Sequence, residues 1–350
     1  MDSRRKRTAT VAKQAPVLSN EWSGHAVGLN RRIPLPDARA MTTAYYSHSS
    51  CPLHDMGSGH PESPARLVAV EKGMGVVGVD RQVARREAPQ ASLDAIKRVH
   101  NSHYVNELMM FAPTRGSLRL DDDTSMNRHS LTAALHSAGA VVAATDAVIA
   151  GEVANAFCAV RPPGHHAESD RAMGFCFFDN VAVGAAHALH AHGLERVAIL
   201  DFDVHHGNGT EDVFRNEPRV LFCSSYQNPL FPFTKDVSVP GHLLKTPLAA
   251  GTPGSVFRQA VERDWLPALY DFAPEMIFVS AGFDAHRSDP LADLMFEADD
   301  YEWVSQRIAE AADELCDGRL VSTLEGGYAL DALAASCAVH IQALCAAGDR

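Results

Sequence analysis

Residues 201–210 read DFDVHHGNGT, so two aspartates and two histidines fall within six positions, directly after the apolar run Val197–Leu200. Side chains alternate along an extended chain, so a strand would set Asp201, Asp203 and His205 on one face. Carboxylates and an imidazole grouped this way are ligands for a divalent metal. Asp203 and His205 supply two of them, and Asp284, in SAGFDAH, is the candidate third. Two carboxylates and one imidazole suit zinc, and iron(II) or cobalt(II) fit as well. Three protein ligands leave a position for water or substrate, which is the catalytic arrangement. The plain alternative for a lone D-x-H is a solvated acidic loop with a structural histidine.

The elements around these residues decide between the two. Short apolar runs at 156–160, 197–200, 220–223, 276–279 and 320–324 are strand candidates. Uninterrupted apolar strands suit a parallel sheet covered on both faces. Helical patterns at 130–150, 180–192, 253–268, 301–316 and 331–346 alternate with them. The alternation predicts a doubly wound α/β sheet in one continuous domain over residues 41–350. Polar clusters follow four of the strands: RPPGHH, DFDVHH, AGFDAH and EGGY. Ligands of open α/β sheets collect beyond the carboxyl ends of the strands. His165, His166, Asp201, Asp203, His205, Asp284 and Tyr328 should therefore meet in one crevice.

Composition narrows the function classes. The 350 residues carry a net charge of −12, which argues against general affinity for nucleic acid. No uninterrupted apolar run reaches the roughly 18 residues of a membrane span. Seven scattered cysteines without a C-x-x-C pair point to reduced thiols and a cytoplasmic location. Charge is uneven: residues 1–40 sum to +5 and the remainder to −17. The basic segment MDSRRKRTATVAKQ lacks a hydrophobic period and reads as a disordered extension, with a basic targeting peptide as the alternative. Met41 offers a second start, so translation of the extension is itself open.

The segments RPPGHHAE, GFCFFDNVA, DFDVHHGNGT, SAGFDAHRSDPL and LEGGYAL resemble, in order, the motifs of the histone deacetylase family, in particular its class II branch and bacterial relatives. The similarity runs from about Tyr45 to Ile341. It implies the arginase–deacetylase fold, a mostly parallel sheet of about eight strands flanked by helices. It also implies zinc-dependent removal of acyl groups from amines, with one zinc per chain.

The resemblance carries roles to individual residues. Asp203, His205 and Asp284 match the metal ligands. His166 matches the histidine that takes a proton from water and returns it to the amine, and His165 its electrostatic partner. Asp201 matches the carboxylate behind His165. Asn208 matches the partner of His166, where some members carry aspartate. Tyr328 matches the tyrosine that donates to the developing oxyanion. A structural potassium ion is implied at Asp201, Asp203, His205 and Ser224, and Phe214 matches a residue near a second monovalent site. Gly174, Phe175 and Phe231 match the walls of the tunnel for a lysine stem, and Asp123, in the run LDDDTSM, its rim. A solvated acidic loop is the alternative for Asp123. Arg66, in HPESPARL, matches an arginine on the product exit, with a surface arginine as the alternative. His60 and Cys176 read as structural.

Within the family, substrates divide between acyl-lysine and acetylated polyamines. Leu291 stands where one vertebrate polyamine enzyme has glutamate, and an apolar side chain offers nothing to a second ammonium. The expected substrate is acylated lysine, in protein or small molecule. Acetylpolyamine hydrolysis is the runner-up, and a non-catalytic acyl-ligand binder is the reading of another class. No nucleic-acid or membrane partner is expected, and an oligomer is compatible with the sequence.

Overall fold

The computed structural model describes residues 42–235 and 237–349. The basic extension expected over residues 1–40 lies outside them. Among the described residues there are ten strands: β1 (Ala44–Ser47), β2 (Ala84–Glu87), β3 (Ser117–Arg119), β4 (Ser125–Asn127), β5 (Asn155–Cys158), β6 (Val197–Asp201), β7 (Val220–Gln227), β8 (Leu243–Leu248), β9 (Met276–Ala281) and β10 (Leu320–Leu324). Eight of them form one sheet in the order β2-β1-β5-β10-β9-β6-β7-β8, and every pairing in it is parallel. β3 and β4 form a separate antiparallel ribbon.

The apolar runs became strands because both faces of the sheet are covered. Every residue of β5, β6, β7, β9 and β10 is buried. One set of helices, Ser130–Ile149 and Asn180–Ala191, packs on β5, β6, β9 and β10. A second set, Ala65–Val77, Ala298–Cys316 and Leu330–Gly348, packs together and onto the sheet through β5 and β9. The Ala65–Val77 and Leu330–Gly348 helices touch through backbone: a Cβ on Gly73 would lie 2.0 Å from the Ala334 carbonyl oxygen.

The outer strands escaped the sequence reading because their patterns are mixed. β2 (ARRE) alternates half-buried and exposed residues at the sheet edge, and β8 (LLKTPL) does so in part. The helix read over 253–268 extends from Gly254 to Phe272 and includes one π-helical turn, Val261–Trp265. Among the described residues two helices, Ser130–Ile149 and Leu330–Gly348, are long and apolar enough to span a bilayer by length and composition, although neither is an uninterrupted apolar run. Their apolar windows are 72% and 67% buried in the protein, as core helices are. All seven cysteines are free and buried.

Two histidines lie deep in the core as neutral groups. Desolvation lowers His340, bonded to the hydroxyls of Ser305 and Ser322, to about 3. Desolvation likewise lowers His100, which contacts the Glu168 carbonyl and the Asp179 N–H, to about 4. Both lie below the ordinary imidazole value of about 6.5, so between these limits the unfolded chain binds more protons. Their stabilisation is complete above about pH 6.5 and is lost as pH falls towards 4 and 3. Urea denaturation of wild type and His340→Asn at pH 7 and pH 5 checks this. The variant is expected to lose less stability over that interval, and an equal loss in both proteins would contradict it.

Candidate active site

The strands that deliver the polar clusters, β5, β10, β9 and β6, are adjacent in the sheet. Their carboxyl ends therefore open onto one place. β6 stops at Asp201, and residues 202–207 form a loop. The expected strand carrying Asp201, Asp203 and His205 on one face is thus corrected: only Asp201 is in the strand, and the loop directs the other two. Backbone hydrogen bonds hold that loop. Asp201 Oδ1 accepts from the Asp203 N–H at 3.1 Å, and Asp203 Oδ1 accepts from the His205 N–H at 2.8 Å.

Asp203, His205 and Asp284 offer ligand atoms that all lie within 4.8 Å of one another, and all three residues are buried. Asp203 Oδ2 accepts from the Gly326 N–H and Asp284 Oδ1 from the Val204 N–H. Asp284 Oδ2 is buried without a hydrogen-bond partner, 3.3 Å from His205 Nδ1. Burial alone would pull His205 down, yet Asp203 and Asp284 carry it up to about 10. The pocket thus selects positive charge. A buried oxygen without a partner, two carboxylates and one imidazole fit a divalent metal of the zinc type. Glycines make the close approach feasible. A Cβ on Gly326 would lie 2.0 Å from Asp284 Oδ2 and 2.6 Å from Asp203 Oδ2, and one on Gly282 would lie 2.0 Å from Asp203 Oδ2.

A second cluster, Asp146, His187 and His192, lies nearer the surface. Both Nε2 atoms sit 2.7 Å from Asp146 Oδ1, so the carboxylate already answers both imidazoles.

The two tandem histidines take opposite charge states. His165 Nδ1 donates to Asp201 Oδ2 at 2.9 Å. Burial opposes its protonation, but Asp201 and Asp203 outweigh it and raise His165 well above the ordinary imidazole value. His166 Nδ1 meets Asn208 Oδ1 at 2.7 Å. Burial drives His166 well below that value, and His165 and His205 push the same way. One ring is drawn towards the charged form and its neighbour towards the neutral one. Paired groups pushed apart in this way are what acid–base chemistry uses.

A cavity of about 230 Å³ opens above them. Asp123, His166, Gly174, Phe175, His205, Leu230, Phe231, Leu291 and Tyr328 line it. Every tunnel and rim residue taken from the sequence is therefore present, and Leu230 is new. The three adjacent aspartates separate clearly: Asp121 caps the turn through the Asp123 and Thr124 N–H groups, Asp122 pairs with Arg119, and Asp123 alone reaches the cavity. Thr124 Oγ1 donates to Asp123 and accepts from the Phe175 N–H. Phe175 adopts φ +71°, a conformation that costs a non-glycine residue energy and is tolerated where surroundings fix it.

The turn bearing Tyr328 is clamped from two sides. Asp289 Oδ2 accepts from the Tyr328 and Ala329 N–H groups at 2.7 and 3.1 Å. Arg66 is fully buried, so the surface alternative is corrected. It donates to the Gly327 and Glu325 carbonyls and to Glu62, and lies 5.0 Å from the Tyr328 ring centre. Gly327 turns at φ +119°, a region that favours glycine. Burial raises the Tyr328 phenol well above 10, so its proton is retained for donation. Glu325 accepts from the Gly164 and His165 N–H groups and so ties the EGGY turn to the histidine pair. Asp289, Glu325 and Glu168 were missed from sequence, although each stands inside a quoted motif (SDPL, LEGGY, GHHAE). Asp201 pairs in register with Ser224 of β7, and the Ser224 hydroxyl bonds to His206 Nδ1 at 2.9 Å.

The histone deacetylase domain model matches residues 60–344. The chain belongs to the histone deacetylase family. It is 40% identical over 278 residues to the histone deacetylase-like amidohydrolase of Pseudomonas aeruginosa, covering 77% of this chain and 73% of that one. It is 36% identical over 336 residues to the chloroplastic histone deacetylase 10 of Oryza sativa, with coverage of 89% and 75%. The solved HDA15 HD domain superposes with a TM-score of 0.81 at 31% identity, over 88% of this chain and 89% of that one. This likeness matches the family fold expected from the motifs.

The packing around Gly326 gives a direct test. Gly326→Ala forces a methyl group against one oxygen each of Asp284 and Asp203, and overpacking of this kind typically costs about 1–3 kcal/mol. Zinc content after dialysis against a competing chelator is expected to fall well below that of wild type. Equal retention would show that these carboxylates do not share an ion.

Proposed function

We propose that this member of the histone deacetylase family is a zinc-dependent amidohydrolase that removes short acyl groups from lysine side chains. The observation that carries the reading is the convergence of Asp203 and Asp284 on His205, which itself lines a cavity with Phe175 and Phe231. Zinc held there would polarise the acyl carbonyl and lower the pKa of its water.

The chain's own groups supply the rest. Neutral His166 accepts the water proton and later delivers it to the departing amine. Charged His165, held by Asp201, lends positive potential to the oxyanion without giving up its proton. Tyr328 donates its phenol hydrogen to the developing oxyanion. The aromatic walls and Leu291 accept the aliphatic stem of lysine and keep bulk water out. The Gly174 carbonyl is offered to the amine and the Asp123 carboxylate to the substrate backbone. Arg66 spends donors on the Tyr328 turn, a positioning role that adds to the product-exit role carried by resemblance. The potassium proposal rests on the family resemblance: Asp201 and Ser224, neighbours in register, would hold the ion, with Asp203 and His205 taking part through backbone oxygens. The catalytic unit is assigned to residues 41–350. Seven free thiols support a reducing, cytoplasmic setting.

Lysine is preferred over polyamine because Leu291 brings no charge to the cavity. Turnover of an acetyl-lysine peptide beside acetylspermidine tests this, and a strong preference for the polyamine would reverse it. Tyr328→Phe is expected to lower kcat by roughly 10²–10³ while the zinc-loaded protein still binds the peptide. Undiminished turnover would remove the tyrosine from the mechanism, and intact zinc-loaded wild type that binds but never hydrolyses would favour the binding module.

A further inference from the structure

We propose that Glu168 is a positioning residue that sets the tautomer of His166 through Asn208. The assignment of purpose rests on His166 being the proton-transfer residue proposed above. The geometry is a chain of three residues joined by two hydrogen bonds. His166 Nδ1 stands 2.7 Å from Asn208 Oδ1, and Asn208 Nδ2 stands 2.7 Å from Glu168 Oε1. The other atoms near Asn208 Nδ2 are also acceptors, the His166 carbonyl oxygen at 3.4 Å and Met173 Sδ at 3.3 Å.

An amide side chain has one accepting end and one donating end, and by itself Asn208 could present either to the ring. An ionised carboxylate only accepts. Glu168 therefore fixes the donating end of Asn208 on itself, and Oδ1 is left to face His166. The ring must then carry its hydrogen on Nδ1, and Nε2 keeps a bare lone pair. Nε2 is the nitrogen not engaged by Asn208, so it is the one that can take a proton in the cavity. If the amide turned over, its NH₂ would face Nδ1, the hydrogen would move to Nε2, and the base would be lost.

Glu168 is itself held. Oε2 accepts from Arg171 Nε at 2.7 Å, its N–H donates to the Arg171 carbonyl, and its own carbonyl contacts His100 Nδ1. The carboxylate thus has one oxygen for Asn208 and one for Arg171. In this chain a neutral amide does what a carboxylate partner would do by charge, and Glu168 supplies the direction that the amide lacks.

Glu168→Gln tests the inference, because glutamine has the same size but can either donate or accept. Loss of an orienting partner of this kind typically costs roughly 10- to 100-fold, and the loss is expected in kcat with KM nearly unchanged. A double-mutant cycle separates positioning from general loosening of the loop. In the Asn208→Ala background, Glu168→Gln is expected to have no further effect on kcat. Imidazole ¹⁵N shifts of zinc-loaded protein read the tautomer directly, with the His166 signals recognised by their loss in His166→Gln. Wild type should show Nδ1–H at His166, and Glu168→Gln a population with Nε2–H. An equal kcat loss in the Asn208→Ala background, or Nδ1–H retained in full by Glu168→Gln, overturns the inference. If wild type shows no hydrolysis while the tautomer shifts as expected, the hydrolase reading fails and the positioning role stands.

Discussion

Two buried carboxylates facing one another are the constraint around which the rest of the site is arranged. Asp203 and Asp284 have almost no solvent to share their charge, and glycines at 282 and 326 let the backbone close over them. Isolated buried charge is costly unless it is paired or bound to a cation. Asp203 accepts a backbone N–H at both oxygens and Asp284 at one, and His205 lies between the two. The same concentration of negative charge determines what the next ring can be: His165, close to Asp201 and Asp203, is drawn to the charged form. His166, 4.0 Å away centre to centre, is pushed towards the neutral form by burial and then by that charge. A gradient of proton affinity thus runs from His165 to His166.

The gradient would be useless without rigid placement, and the turns provide it. Glu325 ties the β10 turn to the backbone of Gly164 and His165, which follows β5. Asp289, after β9, holds the backbone of Tyr328. Arg66 reaches from the Ala65–Val77 helix to the same turn. Loops from three adjacent strands and one helix are therefore locked to one another by buried polar groups whose partners are fixed. Such networks define a single arrangement when fully satisfied. Phe175 and Asp123, both on the cavity, are joined through Thr124.

Much of the architecture was legible because it depends on local pattern. The central strands β5, β6, β7, β9 and β10 are short apolar runs buried on both faces, and each was identified within a few residues. The edge strands β2 and β8 were not, since an edge needs fewer apolar residues and its pattern blends with loops. The candidate metal-binding group Asp203, His205 and Asp284 and the histidine pair stood out through residue type and position after the strands. Glu325, Asp289 and Glu168 did not, because a carboxylate that accepts backbone N–H or amide hydrogens looks in sequence like any solvated acid. Arg66 was ambiguous for the same reason: its burial depends on Glu62 and on carbonyls about 260 residues away.

The sequence by itself determined the alternation of strands and helices, the kinds of ligand available, and the family to which its motifs belong. These follow from periodicity, side-chain chemistry and order along the chain. Only the tertiary structure decided which of three neighbouring aspartates reaches the cavity, which tandem histidine is charged, and which buried acids hold turns in place. Those outcomes depend on distances of a few ångströms between segments far apart in the chain, and on the loss of water around them. Electrostatic interaction changes steeply with both, and neither is written in local sequence.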